Sequence, residues 1–432
     1  MEKSFRMELA GRPLIVETGK MAKQASGAVL VRYGETVVLV TSTASKEARE
    51  GMDFFPLTVD YEEKMYAVGK MPGGFLRREG RPGNSAILNA RLIDRPIRPL
   101  FDKRCRNDIH VMATVLSVDY DNAPELCGML GASASLGISD IPWDGPIAGV
   151  RVGRVDGKFV INPTQEQLKV STLSITVAGS ETAILMVEGG AQEAPEEDVL
   201  DAIMFGHETI KELVAFQKKI IEEVGKPKRT LIFPEIPEEI KTAIYAYAER
   251  PLKEAIFNPD KLTREAHMEE VRKEAEAHFK EIYPENGSDI AECLNHLTKE
   301  IVRHMISVDK IRPDGRALDE IRPISCEVGL LPRVHGSALF TRGQTQALTI
   351  TTLAPMSETQ IIDDLTQETE KRYIHQYNFP SYSVGETKSS RGPGRREIGH
   401  GALAERALIP VIPTVEEFPY AIRVVSEILE SN

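Results

Sequence analysis

Apolar and polar positions through the first 190 residues follow the two-residue period of β-strands joined by tight turns. Apolar runs that fit this period cover 28–33, 36–43, 111–118, 173–177 and 184–187. Gly34-Glu35 separates the first two runs, and glycine at the first central position favours a two-residue hairpin turn. The stretch 124–137 is rich in Ala, Gly and Ser, whose small side chains let a helix lie close against a sheet. The first part of the chain is therefore predicted to be an α/β unit.

Near residue 195 the apolar period changes to that of a helix. Acidic residues 196–198 precede the apolar positions, which suits the positive end of the helix dipole, and Gly225 and Pro227 close the segment. From about 235 to 305 the helical period continues without strand runs, and residues 231–300 carry 16 acidic and 9 basic side chains. We interpret this region as a separate helical domain with an acidic, solvated surface.

Strand-like alternation returns after Asp309, and with it part of the first unit is repeated. Residues 27–36 (GAVLVRYGET) match residues 336–345 (GSALFTRGQT) without a gap, at an offset of 309. Further correspondences are Gly11-Arg12 with Gly315-Arg316, and Leu88 and Arg91 with Leu403 and Arg406. A two-copy repeat is too short for a solenoid and indicates two similar domains packed with pseudo-symmetry. The predicted boundaries are a first α/β unit at 1–230, a helical domain at 231–309 and a second unit at 310–432.

The composition is that of a globular protein, with 41% hydrophobic and 27% charged residues and a net charge of −12. This charge excludes a uniformly basic coat for nucleic acid, so an RNA site must be a local basic patch. The four cysteines stand far apart and lack zinc-site spacing, which favours reduced thiols in a cytoplasmic protein. The first residues do not resemble a secretory signal, and no apolar run approaches the roughly 18 residues of a membrane span.

One basic patch lies in the first unit, around the glycine-flanked segment 73–83 (GGFLRREGRPG). Residues 76–106 carry nine basic and three acidic side chains, a local net charge of +6. The candidate RNA-binding residues are Phe75, Arg77, Arg78, Arg81, Arg91 and Arg95. Arginines hold phosphates by charge and paired hydrogen bonds, and an aromatic face stacks on any base, which suits sequence-independent binding of single-stranded RNA. The alternative is a basic surface loop with a buried phenylalanine.

A second cationic group lies in the second unit, in 392–400 (GPGRREIGH). Arg395, Arg396 and His400 follow a Pro/Gly-rich loop and precede a helical run at 402–408. Cationic side chains near a helix N-terminus favour an anion such as phosphate, whereas the alternative is a set of surface salt bridges. Asp363-Asp364 is a minor candidate for a metal pair, and an exposed loop or helix is the simpler interpretation. The sequence contains no Walker A, GxSxG or HExxH motif.

Longer motif strings carry a family resemblance. The strings are 75–82 (FLRREGRP), 90–99 (ARLIDRPIRP), 205–207 (FGH), 336–348 (GSALFTRGQTQAL), 377–386 (YNFPSYSVGE) and 395–400 (RREIGH). In this order they resemble the polynucleotide phosphorylase family of the ribonuclease PH-like superfamily, over nearly the whole chain. The resemblance implies two α/β (α+β) ribonuclease PH-like cores with an all-helical domain between them. It also implies a ring of three chains whose central channel takes RNA.

The resemblance also implies roles for individual residues. The loop that narrows the channel would consist of Phe75, Leu76, Arg77 and Arg78. The family usually has a second aromatic residue where this chain has Leu76. The catalytic residues near the phosphate and the RNA 3′ end would be Arg395, Arg396 and His400.

The implied activity is that of a nucleotidyltransferase, a phosphorolytic 3′-to-5′ exoribonuclease that releases nucleoside diphosphates. Its reverse reaction is template-independent RNA polymerisation, and its implied role is mRNA degradation in the bacterial cytoplasm. The implied partners are single-stranded RNA, the other chains of a homotrimer and other RNA-decay proteins. A non-catalytic, RNA-binding ring scaffold of the same fold is the alternative.

The family pattern continues past the position of Asn432. There the family has a serine-rich phosphate-binding turn, metal-binding carboxylates and a lysine, then a KH and an OB-fold domain. Mg²⁺ is the implied cofactor, with its ligands expected beyond Asn432, and inorganic phosphate is the implied co-substrate. We therefore expect the second core to be truncated at its C-terminus, and the chain alone to bind RNA without phosphorolysis.

Overall fold

The computed structural model describes residues 2–48, 52, 54–231, 236–367, 370–387, 389 and 391–431. The first core contains, in chain order, β1 (Lys3–Leu9), β2 (Arg12–Thr18), β3 (Gly27–Tyr33), β4 (Thr36–Ala48), β5 (Leu57–Glu62), α1 (Asn84–Ile97), β6 (Asn107–Ser117), α2 (Pro124–Ile138), β7 (Ala148–Val155), β8 (Lys158–Ile161), α3 (Gln165–Val170), β9 (Leu173–Gly179), β10 (Ile184–Ala191) and α4 (Glu196–Val224). The predicted strands and both predicted helices of this region are therefore present.

The first core consists of two sheets with the buried helix α2 in contact with both. One sheet has the strand order β1-β2-β3-β4-β6-β5, with β5 and β6 parallel, and the other has the order β10-β9-β7-β8. An added Cβ on Gly131 of α2 would lie 2.4 Å from Cγ2 of Val40, so this glycine lets the helix lie close to β4. The predicted hairpin is confirmed, because Tyr33 pairs with Thr36 and Gly34 has a φ of 58°.

The acidic region forms three helices, α5 (Glu238–Ile256), α6 (Lys261–Ile282) and α7 (Gly287–Ser307). They pack around their own hydrophobic cluster, which includes Ile244, Leu252, Phe279, Leu294 and Ile301. The predicted helical domain is thus confirmed. Every helix within the described ranges is too short or too polar to serve as a membrane span.

The second core contains β11 (Ile324–Val328), β12 (Gly336–Arg342), β13 (Thr345–Ala354), β14 (Gln360–Ile361), β15 (Glu370–Lys371), β16 (Tyr373–Asn378), α8 (Arg395–Leu408) and β17 (Ala421–Glu430). Its sheet order, β11-β12-β13-β17-β16, repeats the order β2-β3-β4-β6-β5 of the first core. The pair β16 and β17 is parallel, as β5 and β6 are. Gly343 has a φ of 59° in the repeated hairpin, so the predicted duplication holds down to the turn.

The helix alignment predicted from the sequence is wrong by one turn. Helix α1 begins after Gly83 and α8 begins after Gly394, which sets the offset of the two helices at 311. Arg95, and not Arg91, is therefore the counterpart of Arg406. The sequence misled because α1 contains the pattern Leu-x-x-Arg twice, at 88–91 and 92–95, and α8 contains it once.

The two sheets differ in how they are covered. In the first core α2 packs on β3 and buries Val29 and Val31. Their counterparts in β12 are Ala338 and Phe340, and Phe340 is 40% exposed. Within the described part of the second core, α8 packs on β16 and leaves the β12 side of the sheet open. The second sheet thus lacks, among the described residues, the helix that covers β3 in the first core.

Candidate functional site

The two cores contact each other through α1 and α8, and this contact brings the predicted residues of both copies together. Arg406 on α8 donates to Glu188 of β10 at 3.0 Å, and Arg95 on α1 is paired with the same carboxylate. The guanidinium of Arg91 lies where a side chain on Gly399 would be, 2.7–3.0 Å from the position of an added Cβ. A cationic residue of the first core thus reaches the start of α8 because residue 399 is a glycine.

Helix α8 begins earlier than the sequence predicted. It starts at Arg395 rather than at 402, so the predicted cations lie on its first two turns. Gly394 precedes the helix in an extended conformation, with φ −80° and ψ 172°, and its N–H donates to the Glu397 carboxylate. A helix start that carries arginines attracts anions both through the helix dipole and through the guanidinium charges.

Arg395 is partly engaged in holding the cores together. Its Nη2 donates to the carbonyl of Val59 at 2.8 Å and lies 3.3 Å from Oδ1 of Asp60. Asp60 in turn lies 3.0 Å from Nε2 of His110. The salt-bridge alternative therefore applies to Arg395. Within the described ranges Arg396 has no ion pair or hydrogen bond through its side chain, which leaves its guanidinium available to a ligand.

His400 lies beside Arg396 on the second turn of α8. Its ring packs edge-to-face on Tyr377, with ring centroids 5.0 Å apart and planes at 81°. Burial lowers the pKa of His400 below its ordinary value, and the positive charges of Arg396 and Arg91 lower this pKa further. The imidazole is therefore neutral at neutral pH and offers one donor and one acceptor to a bound substrate.

The segment 73–83 is an open loop that presents its aromatic ring to solvent. Phe75 is 99% exposed and Leu76 is 83% exposed, so the alternative of a buried phenylalanine is wrong. Arg77 has a φ of 48°, and its Nη1 contacts the carbonyls of Pro72 and Gly73 at 3.3 and 3.4 Å. We call residues 73–83 the aromatic–arginine loop.

The local net charge of +6 overstates the cations available to a ligand. Arg98 is paired with Asp94, Arg104 with Asp102, and Arg95 with Glu188. The side chains of Arg78, Arg81 and Arg91 form no ion pair or hydrogen bond with the described residues. Arg95 is thus a weaker RNA-binding candidate than its neighbours, because its charge is already balanced.

Two groups near the site were not predicted from the sequence. Tyr377 holds the ring of His400, and only its place in the string 377–386 pointed to it. Burial raises the pKa of Glu63 to about 7, and Ser85 donates to its Oε1 at 2.8 Å. Nothing in the local sequence distinguishes Glu63 from the exposed acids, since its burial comes from distant parts of the chain.

The described residues contain no group of three His, Cys, Asp or Glu side chains placed to hold a metal ion. Asp364 uses its Oδ1 to accept hydrogen bonds from the backbone and the hydroxyl of Thr366, at 2.8 and 2.6 Å. The suggestion of a metal pair at Asp363-Asp364 therefore receives no support. The metal ligands expected beyond Asn432 lie outside the described residues.

Family models match nearly all of the chain. The model of the 3′ exoribonuclease family, domain 1, matches residues 10–142 and 320–432, so one model fits both copies of the repeat. The domain 2 model of this family matches residues 145–209. The model of the polyribonucleotide nucleotidyltransferase RNA-binding domain matches residues 239–317, the helical region.

Three curated relatives that match this chain over nearly its whole length are all named polyribonucleotide nucleotidyltransferase. The polyribonucleotide nucleotidyltransferase of Heliobacterium modesticaldum is 61% identical over 99% of this chain and 60% of its own length. The proteins of that name from Syntrophomonas wolfei and Geobacillus kaustophilus are 61% and 58% identical, over 100% and 99% of this chain and 61% and 59% of their own lengths.

This chain therefore spans about three fifths of the length of these curated relatives. The solved structure of rice (Oryza sativa) Rrp46 matches at a TM-score of 0.39 and 14% identity, over 51% of this chain and 94% of that one, which is too distant to bear on function. From the family models, the chain belongs to the 3′ exoribonuclease family, and the relatives similar to it over nearly its whole length are polyribonucleotide nucleotidyltransferases.

Proposed function

We propose that this chain is the RNA-holding and phosphate-holding part of a polyribonucleotide nucleotidyltransferase. Such an enzyme shortens RNA from its 3′ end with inorganic phosphate, releases nucleoside diphosphates, and can run in reverse to add nucleotides without a template. The observation that carries the proposal is the unpaired Arg396 beside a neutral His400 at the start of α8, with Arg91 of the other core against the same helix. The names of the relatives support it.

The reaction joins two anions, so its main demand is electrostatic. An oxygen of hydrogen phosphate attacks the terminal phosphodiester, the bond to the preceding 3′ oxygen breaks, and the proton of hydrogen phosphate ends on that oxygen. Phosphate already carries its nucleophilic oxygen and needs little activation by a base. The protein must hold the two groups in line and balance the charge of the transition state.

The start of α8 can meet this demand. The Arg396 guanidinium can bind phosphate through two hydrogen bonds, and the nearby helix N-terminus adds to the attraction. Arg91 supplies a further positive charge from the first core. The neutral His400 can donate to or accept from the terminal ribose without adding repulsion or charge. Mg²⁺ is proposed from the resemblance alone, because the described residues contain no group of three side chains placed to hold a metal ion. The phosphate contacts proposed for this chain are those of its own side chains.

The aromatic–arginine loop is proposed to hold the RNA strand. Phe75 offers an exposed ring on which a base can stack, and Arg77, Arg78 and Arg81 face the solvent where phosphates would pass. None of these contacts depends on base identity. Leu76, in place of a second ring, removes one stacking platform, so we expect the loop to rely more on its arginines.

Several wider properties are proposed from the resemblance. These are assembly as a homotrimer around an RNA channel, a role in mRNA degradation in the bacterial cytoplasm, and association with other RNA-decay proteins. The alternative of a non-catalytic scaffold has no specific observation in its favour, because a scaffold does not need an unpaired arginine beside a neutral histidine at a helix start.

The test is to incubate the full protein with RNA, phosphate and magnesium and to measure nucleoside diphosphate release. We expect diphosphates in proportion to RNA shortened, and their absence when phosphate is left out. RNA binding without any diphosphate release would instead favour the scaffold.

A further inference from the structure

One segment of the second core is buried in the first core. Leu365, between β14 and β15, is 5% exposed and belongs to the hydrophobic cluster of the first core. All other buried members of this cluster come from residues 9–220. A leucine that crosses from one copy into the hydrophobic interior of the other fixes the position of the segment that carries it.

The same segment touches the base of the aromatic–arginine loop. Lys70, three residues before the loop, donates from Nζ to the backbone carbonyl of Asp364 at 3.3 Å. A Cβ on Gly73 would lie 3.1 Å from Oδ2 of Asp363, so the first residue of the loop lies against this carboxylate. The Asp364 carboxylate accepts hydrogen bonds from Thr366, and Asp364 contacts Lys70 through its backbone carbonyl.

Strand β15, which follows this segment in the chain, contacts α8, the helix that carries the proposed phosphate site. Lys371, on β15, forms an ion pair with Glu405 of α8 at 2.5 Å. Glu405 also accepts from the backbone N–H of His375 at 2.9 Å. Strand β14, which leads into 363–365, pairs with β15 at Gln360 and Lys371, so the strand next to this segment is linked to the helix that carries Arg396 and His400.

We propose that residues 363–365 position the aromatic–arginine loop relative to α8, with Leu365 as the anchor and Asp363 and the Asp364 carbonyl as the contacts. Later in the loop, Glu79 accepts from the backbone N–H of Met65 at 3.1 Å, whereas the side chains at 75 and 76 are almost fully exposed. Holding its base reduces the conformational entropy that RNA binding must otherwise overcome. This inference rests on the proposed function in one respect, that the loop binds RNA.

The first test does not depend on activity. Leu365→Ala is compared with Ile361→Ala, a matched change on the same hairpin at a side chain that is 80% exposed. Hydrogen exchange is followed at the amides of Lys70 and Arg77, which donate to the carbonyls of Met65 and Gly74. We expect roughly tenfold faster exchange in Leu365→Ala and no change in Ile361→Ala. Equal exchange in the two variants would overturn the proposal.

The second test uses RNA binding in the full protein. Leu365→Ala, the loop variant Arg77→Ala with Arg78→Ala, and their combination are compared for affinity toward poly(A). Because the segment is proposed to act through the loop, the loss in the combination should equal that of the loop variant alone, which we expect to be roughly tenfold. Losses that multiply in the combination would overturn the proposal.

Asp363→Ala keeps the Leu365 anchor and separates positioning from general destabilisation. We expect it to speed exchange at Arg77 while the melting temperature stays unchanged, and unchanged exchange there would count against the contact at Gly73. Turnover of a trinucleotide should remain at the wild-type level in Asp363→Ala and in Leu365→Ala. If the wild-type protein releases no diphosphates, the proposed function is contradicted. The exchange result would still test whether residues 363–365 hold the loop, because it does not depend on activity.

Discussion

Helices α1 and α8 occupy the same place in the two copies and carry different chemistry. Each follows a glycine in an extended conformation, with φ and ψ of −69° and 174° at Gly83 and −80° and 172° at Gly394. Each leads into a short 3₁₀ turn that contains proline. The positions that hold Arg395, Arg396 and His400 in α8 hold Asn84, Ser85 and Asn89 in α1. The backbone is duplicated, whereas the cationic site at the helix start is found on α8.

The cavity beside α1 supports this contrast. A polar cavity of about 360 Å³ lies between α1, the sheet of β9 and β10, and the end of α8, and Asn89 lines it. Both arginines that line it are already paired, Arg151 with Glu125 at 2.5 Å and Arg406 with Glu188 at 3.0 Å. The first copy thus offers space at this place without an unpaired cation to hold phosphate.

The sheet interiors beneath the two helices also differ. Strand register places Leu57, Val59, Ala113 and Val40 of the first copy at the positions of Tyr373, His375, Ser426 and Thr349 of the second. The four second-copy side chains form a hydrogen-bonded row, with each contact at 3.0 Å. The same backbone arrangement accepts the apolar side chains of the first copy and the polar side chains of the second, because the polar atoms of the second copy find hydrogen-bond partners within the row.

The largest effect is expected at Arg396. Arg396→Ala removes a charge-assisted contact to phosphate, worth about 1.5–3 kcal/mol, and should lower the phosphate-dependent rate about ten- to a hundredfold. RNA affinity should change much less. The matched change on α1, Ser85→Ala, should leave the rate unaltered. If phosphorolysis by Arg396→Ala equals that of the wild type at every phosphate concentration, Arg396 does not hold phosphate.

A roughly tenfold effect is expected at the aromatic–arginine loop. Replacing Arg77 and Arg78 by Ala should weaken binding of all single strands alike and reduce the salt slope by about 1.4, because two phosphate contacts are lost. The control removes the same charge from two exposed positions outside the loop, Lys169 and Lys218, which are paired with Glu166 and Glu181. A filter-binding assay with equal slopes in both double variants would contradict the assignment of RNA binding to this loop.

A smaller effect is expected at His400. His400→Asn gives α8 the residue that α1 has at this position and should cost about fivefold in rate through the loss of one hydrogen bond. Burial and the charges of Arg396 and Arg91 lower the pKa of His400 below its ordinary value of 6.5, so the acid limb of the rate profile should have its midpoint below that value. The variant should lack this limb. A limb that persists in His400→Asn belongs to another group.

The last effect concerns stability and not the reaction rate, and it is expected at Glu63, which lies beside Ser85 near the start of α1. Burial raises its pKa from the ordinary 4.5 to about 7. Its contribution to stability is therefore full below about pH 4.5 and is lost as the pH rises through about 7. Glu63→Gln should flatten this dependence by about 3 kcal/mol between these limits. Parallel melting-temperature profiles for the two proteins would show that Glu63 is not buried in this way.

The sequence could predict what is local or repeated. The hairpin turns, the helical domain, the duplication and the exposed loop all follow from periodicity, glycine placement and the match of 27–36 with 336–345. Contacts between distant residues could not be predicted in this way. Arg395 and Val59 are 336 positions apart, and Leu365 reaches a cluster built from residues before 221. The ion pair of Arg95 with Glu188, 93 positions away, is likewise beyond what a local count of charges can predict.

The most direct test of this division between the copies is a reciprocal exchange in the full protein, read out as nucleoside diphosphate release together with RNA affinity. One variant carries Arg396→Ser and His400→Asn on α8, and the other carries Ser85→Arg and Asn89→His on α1. We predict that the first variant binds RNA and releases almost no diphosphate, and that the second releases diphosphate at the wild-type rate. Diphosphate release by the α8 variant at the wild-type rate would contradict the assignment of the phosphate site to the second copy.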